Sequence, residues 1–327
     1  MPRNMEKRNL PHTDLSVSRV ALGTMTFGAQ TDETTARRMV DASLDFGVNF
    51  FDTANVYNQG ASETILGNAL RGRRERAVIA TKVRGKMGEA PDENGLSRGA
   101  IRKAMEASLK RLGTDFVDIY YLHQPDYDVP ISETMAAMDE LVREGKVRYV
   151  AVSNYAAWQV AEIHCICKSR GLAVPHISQP LYNMLARGIE DEFLPFCKSF
   201  EVGVIPYNPL AGGLLTGKQR TAAGPMVGTR FDKNQVYLDR YWHADFFAAV
   251  EELEIVAREA GIALVELALR WLLAQPLVDS ILLGASRVEQ LEQNLAASAG
   301  PALETSTLQK CDTVWKRLRG LTPKYNR

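Results

Sequence analysis

The chain has 327 residues, 46% of them hydrophobic and 24% charged, ordinary proportions for a globular protein able to bury a large core. Lysine plus arginine and aspartate plus glutamate each total 39, so the charge balance gives no case for a nucleic-acid or anionic-membrane partner. No apolar run reaches the roughly 18 residues of a membrane span, and the first ten residues lack the apolar stretch of a secretion signal. The expectation is a cytoplasmic protein with reduced thiols. Cys165 and Cys167 lie two apart on a predicted helix and face different ways, and neither they nor Cys197 and Cys311 show a zinc-ligand spacing.

Residues 6–18 are polar around a Pro-His-Thr-Asp turn and read as a short hairpin. A rhythm then sets in. The short apolar run 20–25 ends in Gly23-Thr24, and residues 32–46 carry apolar positions at helical spacing, capped by Thr31 or Asp32. Strands are predicted over 49–54, 77–83, 116–123, 147–153, 176–183, 202–207 and 279–284. Helices are predicted between them, over 62–71, 97–112, 131–144, 156–170 and 189–199. A long Gly-rich loop from Ala211 to about Arg240 follows the seventh strand, with helices at 243–260 and 263–274 before the eighth and at 287–298 and 303–319 after it. Gly47, Gly113, Gly145, Gly171 and Gly203 fall between a helix and the next strand, where a left-handed C-cap belongs. Without a linker or a shift in composition, residues 1–327 read as a single domain.

Strictly alternating strands and helices imply a parallel sheet. Strand one runs into Gly23-Thr24-Met25-Thr26-Phe27-Gly28, which is not the G-x-G-x-x-G phosphate loop of an open doubly wound sheet. Eight even repeats favour a (β/α)₈ barrel of about 250 residues, with the N-terminal hairpin, the long loop after strand seven and the last helix as additions. In such a barrel the active site lies at the C-terminal ends of the strands.

Three successive strands end in an ionisable group: Asp52, Lys82 and His123. Neighbouring strands are about 4.8 Å apart, so these tips can converge. Tyr57 follows five residues after Asp52. A phenol, with an ordinary pKa of about 10, becomes a better proton donor and acceptor beside an ammonium. Lys82 can supply that charge, Asp52 can hold it, and a neutral His123 is free to donate a hydrogen bond to a substrate oxygen. The set suits proton delivery to a carbonyl whose electrons come from a reduced cofactor. A metal-dependent hydrolase is disfavoured, because the rim offers one histidine and no carboxylate cluster.

This combination resembles the aldo-keto reductase superfamily of barrel-shaped, nicotinamide-dependent oxidoreductases. The resemblance rests on Asn49-Phe50-Phe51-Asp52-Thr53-Ala54 with Tyr57, on Lys82 and on His123 in Leu-His-Gln-Pro-Asp. Val152-Ser153-Asn154-Tyr155 and Gln179-Pro180-Leu181-Tyr182-Asn183 extend it, and it covers nearly the whole chain, from Gly23-Thr24-Met25 to Gln293-Asn294. It implies Tyr57 as general acid/base, tuned by Lys82 and Asp52, with His123 orienting the carbonyl. It implies a cofactor, NADP(H), held by Gly23, Thr24, Met25 and Asp52, with Ser153, Asn154 and Gln179 on the nicotinamide carboxamide and Tyr207 stacked on its ring.

Asn208, Pro209, Leu210, Gly212, Leu215 and Lys218 would fold over the pyrophosphate. Gly284, Ser286, Arg287, Gln290, Gln293 and Asn294 would take the adenosine end, Ser286 and Arg287 suiting a 2′-phosphate. Many relatives carry an arginine near 290 and a glutamate near 293, where this chain has glutamines. The substrate pocket is expected to be walled by Met25, Phe27, Tyr57, Arg84, His123, Gln124 and Tyr127, with Tyr241 or Trp242 from the long loop. That list suits an aldehyde or ketone with an apolar or aromatic body, while Arg84 either selects a carboxylate or phosphate or is solvated. The Gly-Gly-Leu-Leu-Thr-Gly-Lys loop is similar to bacterial aryl-alcohol dehydrogenase-like reductases and to potassium channel β subunits. The latter similarity raises a second reading, an NADP(H)-binding redox-sensing or regulatory subunit with slow turnover. Monomer and homo-oligomer are equally compatible with the sequence.

Overall fold

The computed structural model describes residues 5–321 and 323; the outermost residues of the predicted domain, 1–4, 322 and 324–327, lie outside them. A hairpin, β1 (Lys7–Asn9) with β2 (Ser16–Ser18), precedes eight strands: β3 (Val20–Gly23), β4 (Phe50–Asp52), β5 (Val78–Val83), β6 (Val117–Leu122), β7 (Val147–Ser153), β8 (Ile177–Gln179), β9 (Gly203–Val204) and β10 (Ile281–Gly284). They form one parallel sheet in the order β10-β3-β4-β5-β6-β7-β8-β9. Parallel bridges Val204↔Val278 and Tyr207↔Leu282 join the two ends. The result is the expected (β/α)₈ barrel.

Side-chain alternation along each strand builds two cores. Phe51, Ile79, Tyr120 and Leu122 point outward and are buried beneath the helices. Phe50, Ala80, Ile119, Tyr121 and Ala151 point inward and fill the barrel. Leu10, Leu15 and Val17 of the hairpin belong to the inner core and close the lower end of the barrel. The surrounding helices match their predicted spans within a few residues: α1 (Glu33–Asp45), α2 (Ala61–Leu70), α3 (Arg98–Leu112), α4 (Ile131–Arg143), α5 (Ala157–Arg170) and α6 (Phe193–Phe200). Asp32 caps α1 by accepting from the Thr35 amide at 2.7 Å. Gly67 lets α2 approach α3, since a Cβ there would sit 2.3 Å from the Leu112 carbonyl oxygen.

Three departures from expectation have physical causes. Strands 49–54, 176–183 and 202–207 are shorter than predicted, because the chain leaves the ladder at the barrel mouth and its polar residues turn to the site instead. Gly203 is not a left-handed cap. Glu201 (φ 51°) makes the reversal, and Gly203 opens β9, where a Cβ would press on Pro11 at 3.0 Å. The long loop contains a short helix, α7 (Gln235–Tyr241), that its sequence gave no periodicity to predict. The remaining helices, α8 (Ala244–Glu259), α9 (Leu264–Leu273), α10 (Val288–Ser298) and α11 (Thr305–Arg319), follow the expected spans. No helix among the described residues is long and apolar enough to cross a membrane.

The hairpin is docked through a stack of imidazoles. His12 and His176 lie 4.0 Å apart between ring centroids, and His164 of α5 meets His176 edge-on at 5.1 Å. His12 also pairs with Glu201 at 3.1 Å. Burial first, then His12, His164 and Lys168, push the His176 pKa down to about 4, and burial lowers that of His164. A folded-state pKa below the unfolded one means the unfolded chain takes up more protons as the pH falls. Stability should therefore drop between about pH 6.5 and pH 4. Thermal melts across this range should show a shallower acid slope for His176→Asn than for the wild type.

Candidate active site

The three predicted strand tips converge, and the register explains how. Asp52 on β4 is level with Ala80 on β5, so Lys82 stands two residues higher, and Lys82 is level with Tyr121, which leaves His123 two higher again. The tips thus climb as a staircase around the mouth, and the long lysine side chain reaches back down to Asp52. Its Nζ donates to Asp52 Oδ1 and, at 2.8 Å, to the Thr53 carbonyl. The other carboxylate oxygen accepts from Gln179 Nε2 at 2.8 Å. Asp52 and Lys82 are completely buried.

Tyr57 sits above this pair on a tight turn in which Asn58 (φ 50°) and Gln59 (φ 55°) adopt left-handed conformations. Asn58 Nδ2 fixes the turn by donating to the carbonyls of Phe27 at 2.7 Å and Met25 at 3.0 Å. Below it, the Ser62 hydroxyl joins those of Thr24 at 2.7 Å and Thr53 at 2.9 Å. The Lys82 ammonium lies 5.1 Å from the Tyr57 ring centroid, and the His123 ring meets Tyr57 edge-on at 5.8 Å. Sequence reading missed a buried support: Glu63 accepts from Thr81 Oγ1 at 2.5 Å and Arg111 Nε at 2.6 Å, pinning the start of α2 to β5 and α3. A lone glutamate on a predicted helix carries no signal of burial. The four residues from Ser62 to Ile65 were legible only as helix.

The electrostatics match expectation in part. Burial and the Lys82 charge push His123 down to about 3, so it is a neutral imidazole with a proton to donate. Burial opposes the Lys82 charge, but the Asp52 carboxylate and the Tyr57 phenol outweigh it and raise its pKa. The expected net lowering of Tyr57 is corrected. Burial raises its pKa, and Lys82 offsets only part of that rise. Tyr57 therefore holds its proton firmly, the state that a proton donor needs.

A cavity of about 800 Å³ opens over these residues. Among the predicted residues, Gly23, Thr24, Met25, Asp52, Tyr57, His123, Gln124, Ser153, Asn154, Gln179, Tyr207, Asn208, Pro209, Leu210, Gly212, Lys218, Gly284, Ser286, Arg287 and Gln290 line it. Ser153 and Asn154 are knitted to their neighbours: Ser153 Oγ donates to the Gln179 carbonyl at 2.9 Å, and Asn154 Oδ1 accepts from the Tyr207 hydroxyl at 2.8 Å. Several expected residues are placed elsewhere. Lys82 lies beneath the floor, while Phe27 is wholly buried in the outer core, its carbonyl rather than its ring serving the site. Leu215 is buried in the same core. Arg84, Tyr127, Gln293 and Asn294 do not border the cavity. Tyr241 is buried and holds Asn183 and Asn208 through its hydroxyl at 3.0 and 2.9 Å, and Trp242 packs on Phe231 at 5.2 Å.

In their place the long loop supplies an unpredicted wall of Met226, Val227, Arg230, Val236, Tyr237 and Arg240. Arg230 crosses the mouth, donating to the Tyr237 hydroxyl at 3.0 Å and touching Met25 Sδ at 3.1 Å.

The far end of the cavity meets the first turn of α10 with Ser286, Arg287 and Gln290, and Lys218 stands on the opposite loop. Free helix N–H groups and two cations suit an anionic ligand. Gly284 has only Arg230 within 4 Å of where a Cβ would be, so any side chain there would intrude on the cavity. One end thus carries groups suited to proton transfer and the other groups suited to phosphate, joined by one cavity of about 800 Å³.

Comparison with known proteins agrees with this geometry. The family model described as aldo/keto reductase family matches residues 19–316, and the chain belongs to that family. It is accordingly an oxidoreductase of the class that uses nicotinamide dinucleotides. It is 37% identical over 323 residues to "Aflatoxin B1 aldehyde reductase member 2" of Rattus norvegicus, covering 94% of this chain and 87% of that one. It is 38% identical to "Aldo-keto reductase family 7 member A3" of Homo sapiens, over 94% of this chain and 96% of that protein. It is also 38% identical to "Probable voltage-gated potassium channel subunit beta" of Arabidopsis thaliana, over 95% and 96% of the two chains.

The buried ion pair yields a stability prediction. Lys82→Met leaves Asp52 buried without its counter-charge and should destabilise the protein by about 3–5 kcal/mol in urea titration. Adding Asp52→Asn should recover part of that loss; a purely additive double mutant would show that the two groups are not coupled.

Proposed function

We propose that this protein reduces aldehydes or ketones to alcohols with NADPH, with Tyr57 as the proton donor. The observation that carries this reading is the meeting of Tyr57, neutral His123 and the buried Lys82–Asp52 pair at one end of a trough that ends in Arg287 and the start of α10. When bound, the dinucleotide supplies a hydride to the carbonyl carbon. The chain supplies everything else. His123 donates a hydrogen bond to the carbonyl oxygen and orients it. Tyr57 releases its phenolic proton to the oxygen as negative charge develops there, and Lys82 stabilises the phenolate left behind. Asp52 keeps Lys82 charged and fixed, and Gln179 keeps Asp52 in place.

Ser153, Asn154 and Gln179 would hold the carboxamide of the cofactor through their donors and acceptors, and Tyr207 would back its ring. Lys218 and the glycines of the long loop would take the pyrophosphate. Ser286 and Arg287 would take a 2′-phosphate, which supports NADPH over NADH. The substrate would lie against Met25, Gln124, Met226, Val236 and Tyr237, a mainly apolar wall with Arg230 as its cation.

The likeness to a potassium channel β subunit favours a second reading, a regulatory subunit that binds NADPH and turns over slowly. Steady-state NADPH oxidation with a panel of aldehydes separates the two: tight binding without turnover points to the regulatory role. Tyr57→Phe should abolish carbonyl reduction while leaving NADPH fluorescence quenching intact, and a variant with wild-type rate would overturn the assignment. Arg287→Ala should weaken NADPH binding at least tenfold more than NADH binding, the loss of a charge-assisted contact worth roughly 1.5–3 kcal/mol; equal effects remove it from the phosphate site.

A further inference from the structure

Lys82 is enclosed on more sides than its ion pair accounts for. Its ammonium donates to the Asp52 carboxylate and to the Thr53 carbonyl, and Tyr57 lies above it. Beneath it is a second phenol ring, that of Tyr121, whose centroid is 5.7 Å from Nζ. The two residues are direct partners in the parallel ladder of β5 and β6, and both point into the barrel. Tyr121 is completely buried and does not border the cavity, so it touches neither substrate nor cofactor. Its hydroxyl makes no well-formed hydrogen bond among the described residues, although it lies near the Gln179 amide. With its hydroxyl beside the Gln179 amide, Tyr121 meets the Lys82 ammonium through its ring.

An aromatic ring suits that position better than a carboxylate or an aliphatic side chain. Burial strips an ammonium of water and favours loss of its proton. A second carboxylate would restore the charge, but it would also repel the phenolate that forms on Tyr57. An aliphatic side chain would leave the lower face of the ammonium with nothing to interact with. An aromatic face attracts the cation through its quadrupole and adds no net charge to the site.

We propose that Tyr121 is a positioning residue for the reaction, acting through Lys82: its ring completes a two-tyrosine clamp that keeps the ammonium charged and aimed at Tyr57. This rests on the reading of Tyr57 as the proton donor, and the clamp can fail while that reading stands.

The test runs the reaction in the alcohol-oxidation direction with NADP⁺, where the rate rises with pH as Tyr57 gives up its proton. Tyr121→Phe is the reference, since it keeps the ring. Tyr121→Leu removes the ring and should lower kcat about tenfold relative to that reference, with NADPH affinity unchanged by fluorescence titration. Its rising pH limb should move up by about one unit, because an ammonium no longer aimed at Tyr57 stabilises the phenolate less. Mono-, di- and trifluorinated phenylalanines at 121 keep the shape and withdraw π density step by step. The limb should climb with each fluorine, and this series decides the matter if Tyr121→Leu does not fold. A flat series, or a Tyr121→Leu variant with the pH limb of the reference, overturns the clamp. Tyr57→Phe serves as the control: if it is inactive while the fluorinated series is flat, only the clamp is lost, whereas an active Tyr57→Phe removes the reading beneath it.

Discussion

The site depends on keeping one ammonium charged where water cannot reach it. Moving Lys82 and Asp52 out of solvent costs several kcal/mol per ion, and their mutual attraction offsets this only where other groups satisfy the remaining donors and acceptors. Here those groups come from distant parts of the chain: the Thr53 carbonyl beside Asp52, the Gln179 amide from β8 and the Tyr57 and Tyr121 rings. The pair therefore exists only when β4, β5, β6 and β8 are in register.

Such a site trades stability for a proton on the right atom. Burial favours the neutral form of Tyr57, and the Lys82 charge offsets part of that preference. His123 is held neutral by the same burial, reinforced by the same positive charge, so burial sets the protonation of both neighbours and Lys82 adjusts it. The supports below it, the Ser62 hydroxyl hub and the Glu63–Arg111 pair, fix the backbone that presents Tyr57.

Sequence periodicity revealed the barrel because a buried parallel strand and an amphipathic helix leave opposite signatures, and eight repeats of the two have few ways to close. Asp52, Lys82 and His123 were legible for the same reason, being polar groups that interrupt apolar runs at equivalent places. Phe27 and Arg84 were not, since a short loop has no period from which to tell inward from outward. The wall formed by Arg230, Val236 and Tyr237 was invisible for a related cause. Its path is set by contacts such as Arg230 to Met25, 205 residues away, and by Phe231 packing on Tyr237 and Trp242. The net pKa of Tyr57 could not be read either, because proximity to Lys82 was foreseeable and the degree of burial was not.

The hairpin that stoppers the barrel has a consequence for traffic. With Leu10, Leu15 and Val17 packed into the inner core, the lower end of the barrel is closed, and Arg230 reaches across part of the mouth to Met25. Whatever lies deepest must arrive first and depart last. A dinucleotide stretched from Tyr57 to Arg287 would occupy the threshold as well as the interior, so a small carbonyl compound would find its place only over a floor already laid. An order of entry would then follow from the architecture, with the dinucleotide ahead of the carbonyl compound.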